Sequence, residues 1–187
     1  DIDLPEGDIL IHAGDVSSKG TKDEIVDFLD WFSAQPHLYK IFIAGNHDWF
    51  FEEYSDNYIR KLLPESVYYL NDSGIEINKV KFWGSPIQPT FFNWAFNRER
   101  GAEIDQHWQK IPSDTDILIT HGPPFGILDK TVGNLNVGCE MLRKKVDALQ
   151  PKIHVFGHIH EARGILEQNN TTFINAATAD IHYKMVN

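Results

Sequence analysis

Five side chains that can bind metal ions follow the ends of four predicted strands. The strands read ILIHA, YKIFIA, ILIT and IHVF, and the side chains are those of Asp15, Asn46, His121, His158 and His160. In open α/β sheets, ligands gather beyond the carboxyl ends of the strands, so these side chains are expected to meet at one place. Carboxylate, amide and imidazole groups together are typical of a divalent-metal site. Because a pair of such ions can clamp a phosphate and activate water for in-line attack, the pattern predicts a phosphoester hydrolase.

Each motif has an ordinary structural interpretation when it is considered alone. A Gly-Asp pair after a strand, such as Gly14-Asp15, is most often a turn or a helix cap. A lone histidine such as His121 is more often structural, and metal-free pairs spaced like His158 and His160 are common. The metal prediction therefore depends on joint occurrence, because four unrelated turns have no reason to carry Asp, Asn, His and His in this order after four strands.

The length and composition predict one domain with a substantial core. The chain has 187 residues, of which 42% are hydrophobic and 12% aromatic, and this size is typical of a single domain. We therefore predict one domain over residues 1–187. The formal net charge of −10 disfavours a nucleic-acid polymer as partner, since such binding usually depends on clustered Lys and Arg. The expected substrate is a small phosphoester that is held mainly by metal.

The cysteine content and the hydropathy pattern favour a cytoplasmic location. Cys139 is the only cysteine, so an intrachain disulfide is excluded and nothing indicates an oxidising compartment. No apolar stretch approaches the roughly 20 residues of a membrane span, and no apolar region of secretory type is found in these residues. We predict a cytoplasmic chain without a membrane partner, and the oligomeric state stays open.

The predicted elements alternate between strands and helices as in an α/β protein. A buried strand over residues 8–13 precedes a helix that begins near Thr21, which occupies a capping box. A second buried strand covers 39–44, and a helix is predicted over 52–63. The dipeptide Asn78-Lys79 predicts a hairpin that makes part of the sheet antiparallel. Further predictions are strands over 67–70, 74–77, 80–85, 116–120 and 153–156, helices near 98–110 and 138–149, and a closing hairpin over 163–168 and 171–176.

Taken together, the motifs resemble the calcineurin-like metallophosphoesterases. The family's ordered blocks are matched by Gly14-Asp15, Gly45-Asn46-His47-Asp48, His121-Gly122 and Gly157-His158-Ile159-His160. The segments Trp83-Gly84-Ser85-Pro86, Asn93-Trp94-Ala95-Phe96 and Ile119-Thr120-His121-Gly122-Pro123-Pro124 are similar to the metallophosphoesterase-domain-containing branch and its bacterial relatives. This resemblance covers nearly the whole chain. It implies a four-layer αββα sandwich with mixed sheets.

The chain departs from the family pattern at its beginning. The family's first block is an Asp-x-His at the end of the first strand, and the resemblance places it just before Asp1. His12 lies within its predicted strand and cannot replace that block. The first strand of the family is therefore expected to be missing from residues 1–187.

The resemblance also assigns metal ligands. Asp15 would bridge two ions, Asn46, His121 and His158 would complete one site, and His160 would belong to the other site, which lacks its Asp-x-His partners. A bridging carboxylate offsets the repulsion between two cations, and imidazole suits Mn²⁺, Fe, Zn²⁺ or Co²⁺ better than Mg²⁺. Two divalent ions of one of these elements are the expected cofactors.

Two residues of the Gly-Asn-His-Asp block are candidates for catalysis. His47 follows the ligand Asn46 and is the candidate general acid that protonates the departing alkoxide. Asp48 is expected to orient the His47 ring and to stabilise its charged form. A simple turn carboxylate is the alternative interpretation of Asp48.

The sequence thus predicts a dimetal phosphodiesterase that acts on a small diester, and the resemblance indicates a cyclic nucleotide as one such substrate. A phosphomonoesterase is the nearest alternative. A metal-binding regulator or scaffold without turnover is another, and a metal-dependent hydrolase of non-phosphate esters is a third.

Overall fold

The computed structural model describes residues 4–180, 182 and 184, and its strands form two large sheets. The strands are β1 (Ile9–Ala13), β2 (Tyr39–Ile43), β3 (Val67–Tyr69), β4 (Ser73–Ile77), β5 (Val80–Ser85), β6 (Gln88–Pro89), β7 (Asn97–Arg98), β8 (Ile117–Thr120), β9 (Ile153–Phe156), β10 (Gly164–Gln168) and β11 (Thr171–Asn175). The helices are α1 (Lys22–Ser33), α2 (Trp49–Glu53), α3 (Asp56–Arg60), α4 (Ala102–Trp108) and α5 (Glu140–Leu149), and a 3₁₀ turn covers His160–Ala162.

The two sheets have different topologies. One contains β1, β2 and β3, all parallel. The other has the order β10-β11-β9-β8-β5-β4, in which the four central strands are parallel and the two outer strands are antiparallel to their neighbours. Strands β6 and β7 form a small separate pair. The predicted mixture of parallel and antiparallel pairing is confirmed.

An apolar layer lies between the two sheets. Ile41 and Ile43 of β2 are fully buried against Phe82 and Ile119 of the larger sheet. A Cβ atom at Gly84 would lie 2.5 Å from Leu70 Cβ and 2.7 Å from Ile43 Cγ2. Since these distances are far shorter than van der Waals contact, only glycine at this position lets the chains approach so closely.

Helices cover the outer faces, which completes the predicted four layers. Thr21 and Glu24 form the predicted capping box at the start of α1. The apolar face of α1 is buried, and its Phe28 contacts Phe42 of β2 with ring centroids 5.3 Å apart. Helices α4 and α5 contact each other and bury Trp108 among other apolar side chains, in a cluster that includes residues of β8 and β9. The αββα sandwich is therefore confirmed.

The predicted single helix over 52–63 is wrong, because two short helices occupy this region. Helix α2 begins earlier, at Trp49, and ends before Tyr54, whose backbone is extended with φ −99° and ψ 149°. Ser55 is also extended and serves as the N-cap of α3. The Ser55 side chain makes no capping hydrogen bond, and the extended backbone at Tyr54 and Ser55 separates the two helices.

Both predicted hairpins are present. Asn78 and Lys79 have φ values of 51° and 67°, and Ile77 pairs with Val80 across them. A two-residue turn with both φ values positive matches the right-handed twist of the strands. Asn169 and Asn170 join β10 to β11 with similar φ values. Among the helices of the described residues, none is long and apolar enough to cross a membrane.

Candidate metal centre

The predicted ligands come from both sheets and meet at one edge of the sandwich. Asp15 and Asn46 follow β1 and β2 of the smaller sheet, whereas His121 and His158 follow β8 and β9 of the larger one. Ligand atoms of Asp15, His121 and His158 all lie within 4.8 Å of one another. The Oδ1 atom of Asn46 lies 2.9 Å from Nε2 of His121, and Oδ2 of Asp15 lies 3.5 Å from the same nitrogen.

The arrangement of lone pairs fits a cation. His121 Nδ1 lies 3.0 Å from the carbonyl oxygen of Ala13, and a carbonyl can only accept, so this nitrogen carries the proton in the neutral ring. Nε2 then presents a lone pair toward the oxygens of Asn46 and Asp15. Three acceptors that converge on one point repel one another unless a positive charge lies between them. The residues present therefore fit a divalent metal ion with mixed oxygen and nitrogen ligands.

Two of the ligands adopt strained backbone conformations. Asp15 has φ 56° and His158 has φ 67°, and the left-handed region costs a non-glycine residue roughly 1–2 kcal/mol. Such strain persists where the surrounding structure holds a side chain in a functional position. Both residues directly follow a glycine at a strand end, Gly14 after β1 and Gly157 after β9.

The glycines before the ligands are needed for close packing. A Cβ atom at Gly14, which has φ 99°, would lie 2.5 Å from His121 Nδ1 and 2.7 Å from the carbonyl oxygen of Ala44. A Cβ atom at Gly45 would lie 2.5 Å from His121 Cε1 and would also collide with Asp15. Any side chain at either position would push His121 or Asp15 out of place.

The electrostatic environment keeps His158 and Asp15 in their metal-binding protonation states. Burial, reinforced by His121, lowers the pKa of His158 to about 3, so its imidazole is neutral near pH 7. Burial by itself raises the pKa of Asp15, but His121 and the hydrogen bond from the His47 N–H outweigh it and hold this pKa below its usual value. Neutral imidazole and ionised carboxylate are the forms that bind metal.

Asp48 does not make the predicted contact with the His47 ring. Its Oδ2 accepts hydrogen bonds from the N–H groups of Gly45 (2.7 Å) and Val16 (3.1 Å), and its Oδ1 accepts from the N–H and hydroxyl of Ser17 (2.9 and 2.6 Å). The carboxylate thereby ties the loop after Asp15 to the loop that carries Asn46. Burial and the Asp15 carboxylate raise the pKa of Asp48 to about 6, while these hydrogen bonds oppose the rise.

His47 lies at the mouth of the centre with one ring nitrogen fixed. Its Nδ1 is 3.0 Å from the carbonyl oxygen of Ser18, to which it donates. Its ring centroid is 4.4 Å from that of Trp94. The backbone N–H of His47 donates to Oδ1 of Asp15 at 3.0 Å. Nε2 is therefore the nitrogen that can exchange a proton with a bound molecule.

His160 lies in the same cleft but outside the compact group of ligands. It begins the 3₁₀ turn, and its Nδ1 is 3.0 Å from the carbonyl oxygen of Asp180. His160 lines the cleft together with Asp15 and His158. The structure thus brings four of the five predicted ligands together and places the fifth in the adjoining wall, where its assignment to a second ion stays a prediction.

A cleft of about 420 Å³ opens over the centre. One wall is aromatic, with Phe91 and Trp94, and Phe91 lies 6.4 Å from His158 between ring centroids. Thr131 and Glu161 also line the cleft. Other lining residues are Asn46, His47, Pro89, Thr90, Arg100, Gly122, Pro123, Val137, Gly138, Ile159 and His160. A second groove of about 910 Å³ runs beside β1 and also reaches Asp15 and His158.

Comparison of the sequence with known proteins shows its family. A sequence profile described as calcineurin-like phosphoesterase matches residues 2–162, and the chain belongs to this family. It is 39% identical over 209 aligned residues to human metallophosphoesterase domain-containing protein 1, an alignment that covers 100% of this chain and 64% of that protein. A Caenorhabditis elegans protein, UPF0046 protein K07C11.7, is 39% identical over 188 residues, which cover 94% of this chain and 64% of the worm protein.

The fold is also found among solved structures. Phosphopantetheinyl hydrolase (PptH) from Mycobacterium tuberculosis superposes with a TM-score of 0.62 at 14% identity, over 94% of this chain and 80% of that one. The predicted resemblance to the superfamily and to its metallophosphoesterase-domain-containing branch is confirmed. The chain spans 64% of the length of the two curated relatives described above.

Proposed function

We propose that this chain is a metal-dependent phosphodiesterase domain that acts on a small phosphodiester, such as a cyclic nucleotide. The observation that carries the proposal is the convergence of lone pairs from Asp15, Asn46 and His121, with His158 beside them, at the floor of a cleft. When bound there, divalent ions would neutralise phosphoryl oxygens and lower the pKa of a water nucleophile.

The protein's side chains would bind the cation, orient the substrate and protonate the leaving group. Asp15, Asn46, His121 and His158 would hold one divalent cation, and the aromatic wall of Phe91 and Trp94 orients the substrate. The fixed Nδ1 of His47 leaves Nε2 to deliver a proton to the leaving alkoxide. No covalent phosphoenzyme is needed for this reaction.

The charges of the cleft favour a diester over a monoester. Arg100 is the one Lys or Arg side chain among the described residues of the cleft wall. Its guanidinium donates to Glu140 at 2.6 Å and to the carbonyl oxygens of Val137 and Gly138 at 2.8 Å. A dianionic monoester gains more from free cations than a monoanionic diester does, and here the side chains supply few of them.

Hydrolysis of paired aryl esters tests the proposal. We expect Mn²⁺-dependent hydrolysis of bis(4-nitrophenyl) phosphate that exceeds hydrolysis of 4-nitrophenyl phosphate and of 4-nitrophenyl acetate. The His158→Gln variant should hydrolyse bis(4-nitrophenyl) phosphate about 10²-fold more slowly or worse, because a metal ligand is removed. The His37→Gln variant is the matched control, since His37 is a buried histidine that contacts the carbonyl oxygen of Pro5 outside the centre.

Each alternative function has its own outcome in this assay. Preference for the monoester would make the protein a phosphomonoesterase, and preference for the acetate would make it an esterase of another kind. Mn²⁺ binding without turnover of any of the three would favour the regulator or scaffold.

A further inference from the structure

A buried hydroxyl connects the core of the larger sheet to the residue that follows the ligand His121. The Thr120 side chain lies 2.7 Å from the carbonyl oxygen of Gly122 and 2.8 Å from Nε2 of His154. Thr120 and His154 are both fully buried. Thr120 is the last residue of β8, and His154 lies on the adjacent strand β9. His121 is thus enclosed between two members of this chain of hydrogen bonds.

The direction of each hydrogen bond follows from which groups can donate a proton and which can only accept one. A carbonyl oxygen only accepts, so the single hydroxyl proton of Thr120 is donated to Gly122. The hydroxyl oxygen must then accept from His154, which fixes the proton of His154 on Nε2. Burial lowers the pKa of His154 to about 3, so the ring is neutral and its Nδ1 carries a lone pair. Nδ1 is buried without a hydrogen-bond partner among the described residues.

Packing alone does not account for a histidine at this position. The His154 ring contacts Phe156 and Phe173, with centroids 5.0 and 5.9 Å apart. Phenylalanine would suit such surroundings without the cost of burying an unpaired acceptor. The bond to Thr120 is the specific contribution of the imidazole.

The main chain on both sides of the ligand is held by this arrangement. Gly157 donates its N–H to the carbonyl oxygen of His121 at 3.0 Å, and Thr120 holds the next carbonyl, that of Gly122. The turn that carries the His121 ring is therefore fixed at two successive peptide groups. A ring whose Nε2 must face Asn46 and Asp15 depends on this fixation.

We propose that His154 is a positioning residue which, through the Thr120 hydroxyl, holds the loop of His121 in its metal-binding conformation. The proposal rests on the proposed function, in that His121 is taken to bind metal. It assigns a role to two buried side chains that do not touch the ligand atoms themselves.

Matched variants and metal titration test this role. His154→Phe and Thr120→Val remove the hydrogen bonds, whereas His154→Gln keeps an N–H near the Nε2 position and Thr120→Ser keeps the hydroxyl. We expect the first pair to raise the Kd for Mn²⁺, measured by calorimetry, about 10- to 100-fold, and the second pair to raise it only about threefold or less. The tautomer of His154 is read from its ¹⁵N chemical shifts and should be Nε2–H.

The outcomes distinguish a failure of the positioning role of His154 from a failure of the proposed phosphodiesterase function. Mn²⁺ binding by the unmodified chain, with an unchanged Kd in a folded His154→Phe or Thr120→Val variant, would overturn this inference and leave the phosphodiesterase proposal standing. A chain that does not bind Mn²⁺ at all would reject both. Should His154→Phe fail to fold, the Thr120→Val and Thr120→Ser pair still decides, and an Nδ1–H tautomer would overturn the inference by itself.

Discussion

At the scale of single residues, the centre depends on side chains whose backbones or neighbours restrict them closely. Asp15 and His158 are held at positive φ, and Asp48 accepts four hydrogen bonds from the loops around it. His47 has one ring nitrogen bound to Ser18. These constraints fix the geometry of the donors before any ligand arrives, which is the condition for efficient electrostatic catalysis.

The role of His47 can be tested with leaving groups of different basicity. In the His47→Ala variant we expect turnover of alkyl phosphodiesters to fall about 10²–10⁴-fold, because an alkoxide needs a proton in the transition state. Loss on bis(4-nitrophenyl) phosphate should be much smaller, since nitrophenolate departs unaided. Equal losses in kcat on both substrates would show that His47 positions the phosphate instead.

The role of Asp48 can be tested through stability. We expect Asp48→Asn to lower the free energy of unfolding by about 2–3 kcal/mol, because the amide NH₂ would face backbone N–H donors. Asp27→Asn, on the exposed face of α1, should change it by less than about 0.5 kcal/mol. Urea unfolding of the metal-free proteins supplies both values. Similar effects of the two substitutions would contradict the conclusion that Asp48 stabilises the fold by linking the two loops.

Residue types and strand positions were enough to predict which side chains form the centre. Asp15, Asn46, His121 and His158 were predicted because each follows a buried strand, and strand ends of a sandwich share an edge. The partners of Asp48 could not be predicted, since Ser17 lies 31 positions away and the contact depends on how two loops close. The link from His154 through Thr120 was missed for the same reason.

At the scale of elements, local sequence signals predicted most boundaries but not the break between α2 and α3. The periodic burial of α1 and its capping box lie within twelve residues, and both hairpins are marked by their turn residues. Residues 52–63 mix polar and apolar side chains, which favoured one continuous helix in the prediction, although the backbone is extended at Tyr54 and Ser55. Short helices obtain little stability from propensity alone, so packing of Phe50 and Ile59 into the core decides their limits.

The hairpin between β4 and β5 offers a test at this scale. Lys79 is exposed and adopts φ 67°, a conformation that glycine reaches without strain. We expect Lys79→Gly to raise the free energy of unfolding by about 0.5–1 kcal/mol. Lys79→Ala keeps the strain and should have little effect, so a stabilisation by alanine as large as that by glycine would count against this turn geometry.

At the scale of the whole molecule, the sandwich explains why the centre needs the complete fold. Two ligands come from each sheet, and the apolar layer that contains Ile43 and Ile119 packs the two sheets against each other. The layer architecture was predicted from resemblance, and the alternating elements agreed with it. The division of strands between two sheets required the structure, because β3 pairs in parallel with β2 whereas β4, next in sequence, joins the other sheet.

Burial of neutral histidines in this core predicts how stability depends on pH. The pKa of His154 is lowered to about 3 and that of His12 to about 4, against an unfolded value of 6.5. Between these limits the unfolded chain binds more protons than the native one, so stability is full above pH 6.5 and falls as the pH drops toward 4. Each histidine contributes a slope of about 1.4 kcal/mol per pH unit.

Comparison with a variant isolates one of these contributions. The free energy of unfolding of the metal-free proteins is measured with urea at pH 7.5, 6 and 5. Below pH 6 we expect it to fall less steeply with decreasing pH in His154→Gln than in the unmodified chain, by the slope that one proton contributes, about 1.4 kcal/mol per pH unit. Parallel stability curves for the two proteins would show that His154 is not buried in its neutral form.

The central claim is that the four strand-end ligands hold a divalent cation, and anomalous diffraction tests it most directly. Crystals of the chain soaked in Mn²⁺ are measured on both sides of the manganese absorption edge. The account predicts an anomalous peak at bonding distance from Asp15, Asn46, His121 and His158, the site with the most protein donors. A manganese ion held by His160 without any of those four side chains, or no peak at saturating Mn²⁺, would contradict it.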